Sequence, residues 1–168
     1  MNWPLYKDMT GLIDPDDVKE RTPKLWSIAT RDGKRDLAMT FHIFSPGKVE
    51  LVAFPMEGPH AKILATDIVR TYAKEMQATV VTVLWEAWTA LNSDPHDRRL
   101  PSDRAAHERT EHVMLYVQKA DRPIETYMWQ IHRLANRAYL GNRMDWNTQF
   151  ISREIGAHFQ NLVPCRPN

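Results

Sequence analysis

Apolar and polar residues alternate most regularly between Leu37 and Ala53. Leu37, Met39, Phe41 and Ile43 fall on one face of a strand and Ala38, Thr40 and His42 on the other, because successive side chains in a strand point to opposite faces. Ser45-Pro46-Gly47-Lys48 supplies turn residues, after which Val49, Leu51 and Ala53 resume the period of two. The pattern predicts a β-hairpin over residues 36–54.

Helical periods flank this hairpin. Residues Asp14 to Arg31 read as helix in one or two pieces: Asp14 is the cap, Pro15 suits the first position, and Asp16 and Asp17 favour the positive end of the dipole. Pro23 restarts the helix, Leu25, Trp26, Ile28 and Ala29 form its apolar stripe, and Asp32-Gly33 ends it. A second helix is predicted from His60 to Gln77. It places Ala61, Leu64, Ala65, Ile68, Tyr72 and Met76 on one side and turns Lys62, Thr66, Arg70 and Lys74 to water. The expected core therefore joins Leu37, Met39, Phe41 and Ile43 to Leu64, Ile68 and Tyr72.

Residues 78–88 are apolar on both faces, which predicts a central strand ending at Glu86. A polar stretch runs from Asn92 to Arg109. Thr110 to Lys119 and Ile124 to Arg133 read as two strands joined at Ala120–Pro123. Phe150, Ile151, Ile155, Phe159 and Leu162 predict a last helix, starting near Thr148, capped by Asn147 and stopped by Pro164. The expected fold is one α+β domain over residues 1–168, in the order α-β-β-α-β-β-β-α, with five mostly antiparallel strands and the helices on one face.

Composition narrows the class of function. The formal net charge of +1 argues against a generally basic nucleic-acid binder, although it leaves room for a local basic patch. Cys165 is the one cysteine, so no internal disulfide can form, as a reducing cytoplasm would permit. The N-terminal residues show no basic segment followed by an apolar one, and no apolar run approaches the roughly 20 residues of a membrane helix. The expectation is a cytoplasmic protein without membrane contact. No glycine-rich phosphate loop or nucleophile elbow is present, and no cofactor or resident metal is expected.

Candidate chemistry centres on two places. The polar stretch carries Asp94, His96, Asp97, Arg98, Arg99, Asp103, Arg104, His107, Glu108 and Arg109, which could bind metals, phosphates or an acidic partner, or be a solvated loop. His107 and His112 are five apart, which puts them on different sides of a helix and opposite faces of a strand, so they do not make a zincin pair. Glu86, between Trp85 and Trp88, is the second place. Burial there would raise its pKa and suit it to general acid–base work; alternatively it pairs with an arginine, Arg109 or Arg104, and holds the loop. The aromatic and basic mixture from Tyr127 to Trp146 could stack bases, but the alternation sends Tyr127, Trp129 and Ile131 to the core.

The strand ending in Glu86-Ala87-Trp88, the loop with Pro101-Ser102, and Arg109 and Glu111 leading into Val113–Val117 resemble a pattern in small uncharacterised bacterial and phage proteins. That pattern has a proline and an aspartate before the arginine; here Ala106-His107-Glu108 stands there instead. The resemblance implies a bacterial or phage origin and carries no activity.

Two readings stay open. One is a non-enzymatic binding or regulatory protein that contacts a protein partner, or another copy of itself, through the 92–109 loop and a sheet edge. The other is a metal-assisted hydrolase or nuclease using Glu86 with Asp94, His96, Asp97 or His107.

Overall fold

The computed structural model describes residues 14–55, 57, 58, 60–90, 96–100, 103–146, 159 and 161–164. Helix α1 (Pro15–Thr30) leads into strands β1 (Met39–Ser45) and β2 (Lys48–Phe54), helix α2 (Ala61–Glu75), and strands β3 (Val80–Thr89), β4 (Thr110–Lys119), β5 (Glu125–Arg133) and β6 (Ala138–Trp146). The strands form one open antiparallel sheet in the order β2-β1-β3-β4-β5-β6. The fold is α+β, with six strands among the described residues where the pattern predicted five. The missed strand, β6, has Gly141 and Asn142 in its middle and lies at an edge, with Tyr139 and Met144 exposed, so no burial-driven alternation marks it.

The two helices cover opposite faces, not one. On the first face Ala65, Val69 and Ala73 of α2 pack with Met39, Phe41, Ile43, Val81, Val83, Trp85 and Tyr116. On the second, Val18, Leu25 and Trp26 of α1 pack with Phe44, Leu84, Val113, Leu115 and Trp129. The strand period explains this: even and odd positions of β1, β3 and β4 feed separate cores. Leu37 precedes β1 and joins the α1 face, apart from Met39, Phe41 and Ile43.

Local chemistry sets the element limits. The Asp14 carboxylate caps α1 by accepting the Asp16 N–H at 2.9 Å. Pro23 stays inside one continuous helix. Gly47, at φ 70°, closes the two-residue turn between Ser45 and Lys48. In α2 the buried face is Ala65, Thr66, Val69 and Ala73. Leu64 and Ile68, expected in the core, are 63% and 44% exposed, while Thr66, expected in water, is buried. β3 runs past Glu86 to Thr89. The predicted last helix falls mostly on residues outside those described; Phe159, Leu162 and Val163 are buried in the α2-side core, with Phe159 against Trp85 and Tyr116. No helix among the described residues is long and apolar enough to cross a membrane.

His42 of β1 is fully buried on the α1 side, with Nδ1 2.8 Å from Thr82 Oγ1 and Nε2 without a partner. Leaving a bare lone pair at Nε2 costs less than leaving an N–H there, so the neutral ring is best placed with Nδ1–H donating to Thr82. Burial pushes its pKa from 6.5 down to about 3. Because the folded value lies below the unfolded one, the stability this residue contributes is present above pH 6.5 and is lost as pH falls toward 3. Urea melts at stepped pH should show wild type losing up to about 1.4 kcal/mol per pH unit more than His42→Leu inside that window. Equal pH slopes for the two proteins would mean that the ring titrates normally.

Candidate functional site

Glu86 and Trp88 lie on the α1 face of β3 and Trp85 on the α2 face, so the two indoles beside Glu86 in sequence fall on different faces of the sheet. The indole that reaches it is Trp26 of α1, sixty residues away in sequence, whose N–H donates to Glu86 Oε1 at 2.6 Å. The Leu37 backbone N–H donates to Oε2 at 3.3 Å. These donors take the place of Arg104 and Arg109, the partners expected from sequence. Burial raises the Glu86 carboxyl above its ordinary value; the bonds from Trp26 and Leu37 pull it back, and the charges of Glu111 and Asp36 push it further up. With both oxygens engaged, the carboxylate fastens α1 and the start of the hairpin to the central strand.

Glu111, on the same face of β4, is clasped by Arg133 of β5, with Nη2–Oε1 at 2.5 Å and Nε–Oε2 at 2.7 Å. Arg133 also donates through Nη1 to the Gly33 carbonyl at 3.0 Å. One guanidinium thus ties β4, β5 and the turn after α1 together, in the bidentate geometry that suits arginine.

The polar loop is organised around Asp97. Arg99 donates to both of its oxygens, with Nε–Oδ1 at 3.2 Å and Nη2–Oδ2 at 2.9 Å, and Arg104 Nη1 lies 3.1 Å from Oδ2. Arg99 also reaches Glu108 at 3.4 Å, and Glu108 accepts the Ala105 N–H at 3.1 Å. The bonds from Arg99 hold the Asp97 carboxyl down to about 2. Arg104 is buried, while the Arg109 guanidinium sits 4.2 Å over the Trp88 ring. His96, Arg98 and His107 are exposed, and Asp94 lies outside the described residues. The structure therefore joins Asp97, Arg99 and Arg104 in one ion network, and Glu86 has a separate set of partners. Among the described residues no group of three His, Cys, Asp or Glu is arranged to hold a metal ion.

Two features were not found by pattern. Along α2, Ile63, Leu64 and Ile68 stand exposed beside a largely apolar groove of about 580 Å³ lined by Val52, Ile68, Val69 and Tyr72, with Asp67, Thr71 and Glu75. The signal was available: the small residues Ala65, Thr66 and Ala73 let a helix sit close to a sheet, which leaves the bulky stripe outside. The second is a cleft of about 510 Å³ between the turn after α1 and the β5–β6 connection, with Lys34, Arg133 and Arg137 in its wall. Turn geometry brings these together across a hundred residues, and no sequence motif announces it.

Because the folded Glu86 carboxyl is raised, its stabilising contribution is greatest below the ordinary carboxylate range and is lost as pH rises through the raised value. Glu86→Gln abolishes that titration. The stability of wild type minus that of Glu86→Gln should fall as pH rises above the ordinary carboxyl value of 4.5, by at most about 1.4 kcal/mol per pH unit, in paired urea melts. A difference that is flat or rising over this range would rule out a desolvated carboxylate here. Comparison with known proteins finds no family model, no curated relative and no solved structure that this chain matches, so the reading of the site rests on its own chemistry.

Proposed function

We propose that this protein is a non-enzymatic binding module that works as a homodimer, with β2 and the outer stripe of α2 as the dimer surface. The carrying observation is the exposed row Ile63, Leu64 and Ile68 flanking an apolar groove that opens onto β2, which is an edge strand among the described residues. Exposed contiguous apolar surface of this kind marks interaction sites.

Contrast between the two sheet edges supports the choice of edge. β6 carries Asn142, Arg143 and Asp145, faces an irregular register in β5, and is braced by an Arg143–Glu20 ion pair at 2.8 Å. Charge and irregularity blunt such an edge against pairing. β2 instead runs Leu51-Val52-Ala53-Phe54 after Lys48 and Glu50, in regular register with β1. A second copy is the occupant that fits. Antiparallel pairing of β2 with itself is two-fold symmetric, satisfies the open backbone groups of both strands, and lays the two α2 stripes side by side. Two of the ion pairs near the stripe, Lys48 with Glu50 and Asp67 with Arg70, close within each copy, which lowers like-charge repulsion between two copies. The polar loop, tied within itself at Asp97, remains available to a further protein partner.

Leu64→Glu with Ile68→Glu changes two exposed side chains and should leave the circular dichroism spectrum intact. Sedimentation equilibrium should give a dimer for wild type and a monomer for the double variant. A wild-type protein that stays monomeric at roughly 100 μM, or a double variant that still dimerises, would overturn the proposal.

A further inference from the structure

The cleft between the turn after α1 and the β5–β6 connection has a charge balance unlike that of the whole chain. Its wall is Asp32, Gly33, Lys34 and residues 133–138, with Lys34, Arg133 and Arg137 as cations. Asp32 is the one carboxylate in that wall, and the Ser27 hydroxyl donates to it. Arg133 is occupied by Glu111 and the Gly33 carbonyl. With Arg133 occupied, the wall presents two cations, Lys34 and Arg137, against the single carboxylate of Asp32, a net excess of one positive charge. In a chain of net charge +1, this is a local excess that draws anions.

The wall is firmly built. Arg31, Asp32 and Gly33 take successive φ values of 52°, 56° and 78°. Non-glycine residues in the left-handed region are strained and persist only where surrounding bonds fix them. Here they are fixed: Asp32 N–H bonds to Ser27 O at 2.8 Å, Gly33 N–H to Thr30 Oγ1 at 2.9 Å, and Ala138 N–H to Asp32 O at 2.8 Å. A Cβ on Gly33 would stand 2.5 Å from the Ala138 Cβ, so turn and strand are in closest contact.

Beside this cleft lies a second depression of about 370 Å³, lined by Asp32, Arg137, Ala138 and Tyr139. The Tyr139 ring is 49% exposed and stacks on His132, with centroids 5.1 Å apart and planes 22° from parallel. Gly141 leaves the room that His132 fills, since a Cβ there would lie 2.8 Å from His132 Nε2. The His132 ring thus backs a half-exposed aromatic surface beside the cationic cleft.

We propose that this cleft binds a small phosphorylated ligand carrying an aromatic ring, the chemistry of a mononucleotide. Lys34 and Arg137 take the phosphate, for which guanidinium and ammonium donors are suited, and Tyr139 takes the ring. The cleft volume lies within the range of small-molecule sites. Its surroundings lack the continuous basic track of a strand-binding protein, since Glu20, Glu111 and Asp145 occupy neighbouring arginines.

Calorimetric titration of the full chain with AMP, inorganic phosphate and a short oligothymidine, at matched ionic strength, tests this. AMP should saturate a single site, bind more tightly than inorganic phosphate, and weaken about tenfold or more in Lys34→Gln with Arg137→Gln. Both side chains are exposed, and an unchanged melting temperature verifies that the variant is folded. Absence of saturation by AMP to roughly 10 mM, or undiminished affinity in the double variant, would overturn the proposal. Equal affinity for AMP and inorganic phosphate would remove the ring contact from it, and much tighter binding of the oligothymidine would transfer the surface to single-stranded nucleic acid.

Discussion

Covering both faces of the sheet is the constraint on which the rest of the structure depends. An antiparallel sheet commonly leaves one face to water, where polar side chains need no partner. Here α1 and α2 each bury one face, so the polar side chains of the central strands find partners within the protein or go without, as His42 Nε2, Tyr116 Oη and Thr126 Oγ1 do. His42 and Thr82 answer one another across β1 and β3. Glu86, at the margin of the same face, accepts from the helix that covers it, and Glu111 from the neighbouring strand. These bonds join α1 to the sheet as surely as the packing of Leu25 and Trp26 does.

Satisfying the interior in this way leaves the two ends of the sheet unlike. The β2 end is apolar and regular, bordered by the bulky stripe of α2. Toward the β6 end, Arg133 and Arg143 bind acidic groups of other elements, and Lys34 and Arg137 line an open cleft. The surfaces proposed for self-association and for a small anion therefore lie at opposite margins of the sheet and use different helices. Occupation of one leaves the other accessible.

Local pattern made much of the scaffold legible. The hairpin, the limits of β4 and the start of α1 follow from period-two alternation, turn residues and an aspartate cap, all of which act over a few residues. What escaped depends on relations across the chain. α2 has two apolar stripes, and only contact with the sheet decides that the small one faces inward. β6 is an edge strand, and its one covered side leaves too little alternation to read. Glu86 was legible as a carboxylate that burial would perturb, but the sequence pointed to Arg104 or Arg109 as its donor, whereas the half-buried carboxylate accepts from a helix distant in sequence. The ion network at Asp97 follows the composition of the polar loop, whereas the pairing of Arg99 and Arg104 with it needed the loop's path.

The strand order has a consequence for how the chain reaches this structure. β1 pairs with β2, β3 with β4, β4 with β5 and β5 with β6, each with its neighbour in sequence. Pairing of β1 with β3 alone skips a strand, with β2 and α2 between them. Contacts close in sequence cost little chain entropy to form, and topologies rich in them fold quickly. A four-strand meander and a separate hairpin can thus zip independently. The step that remains is their docking along β1 and β3, where α2, by packing over both strands, holds the two pieces in register.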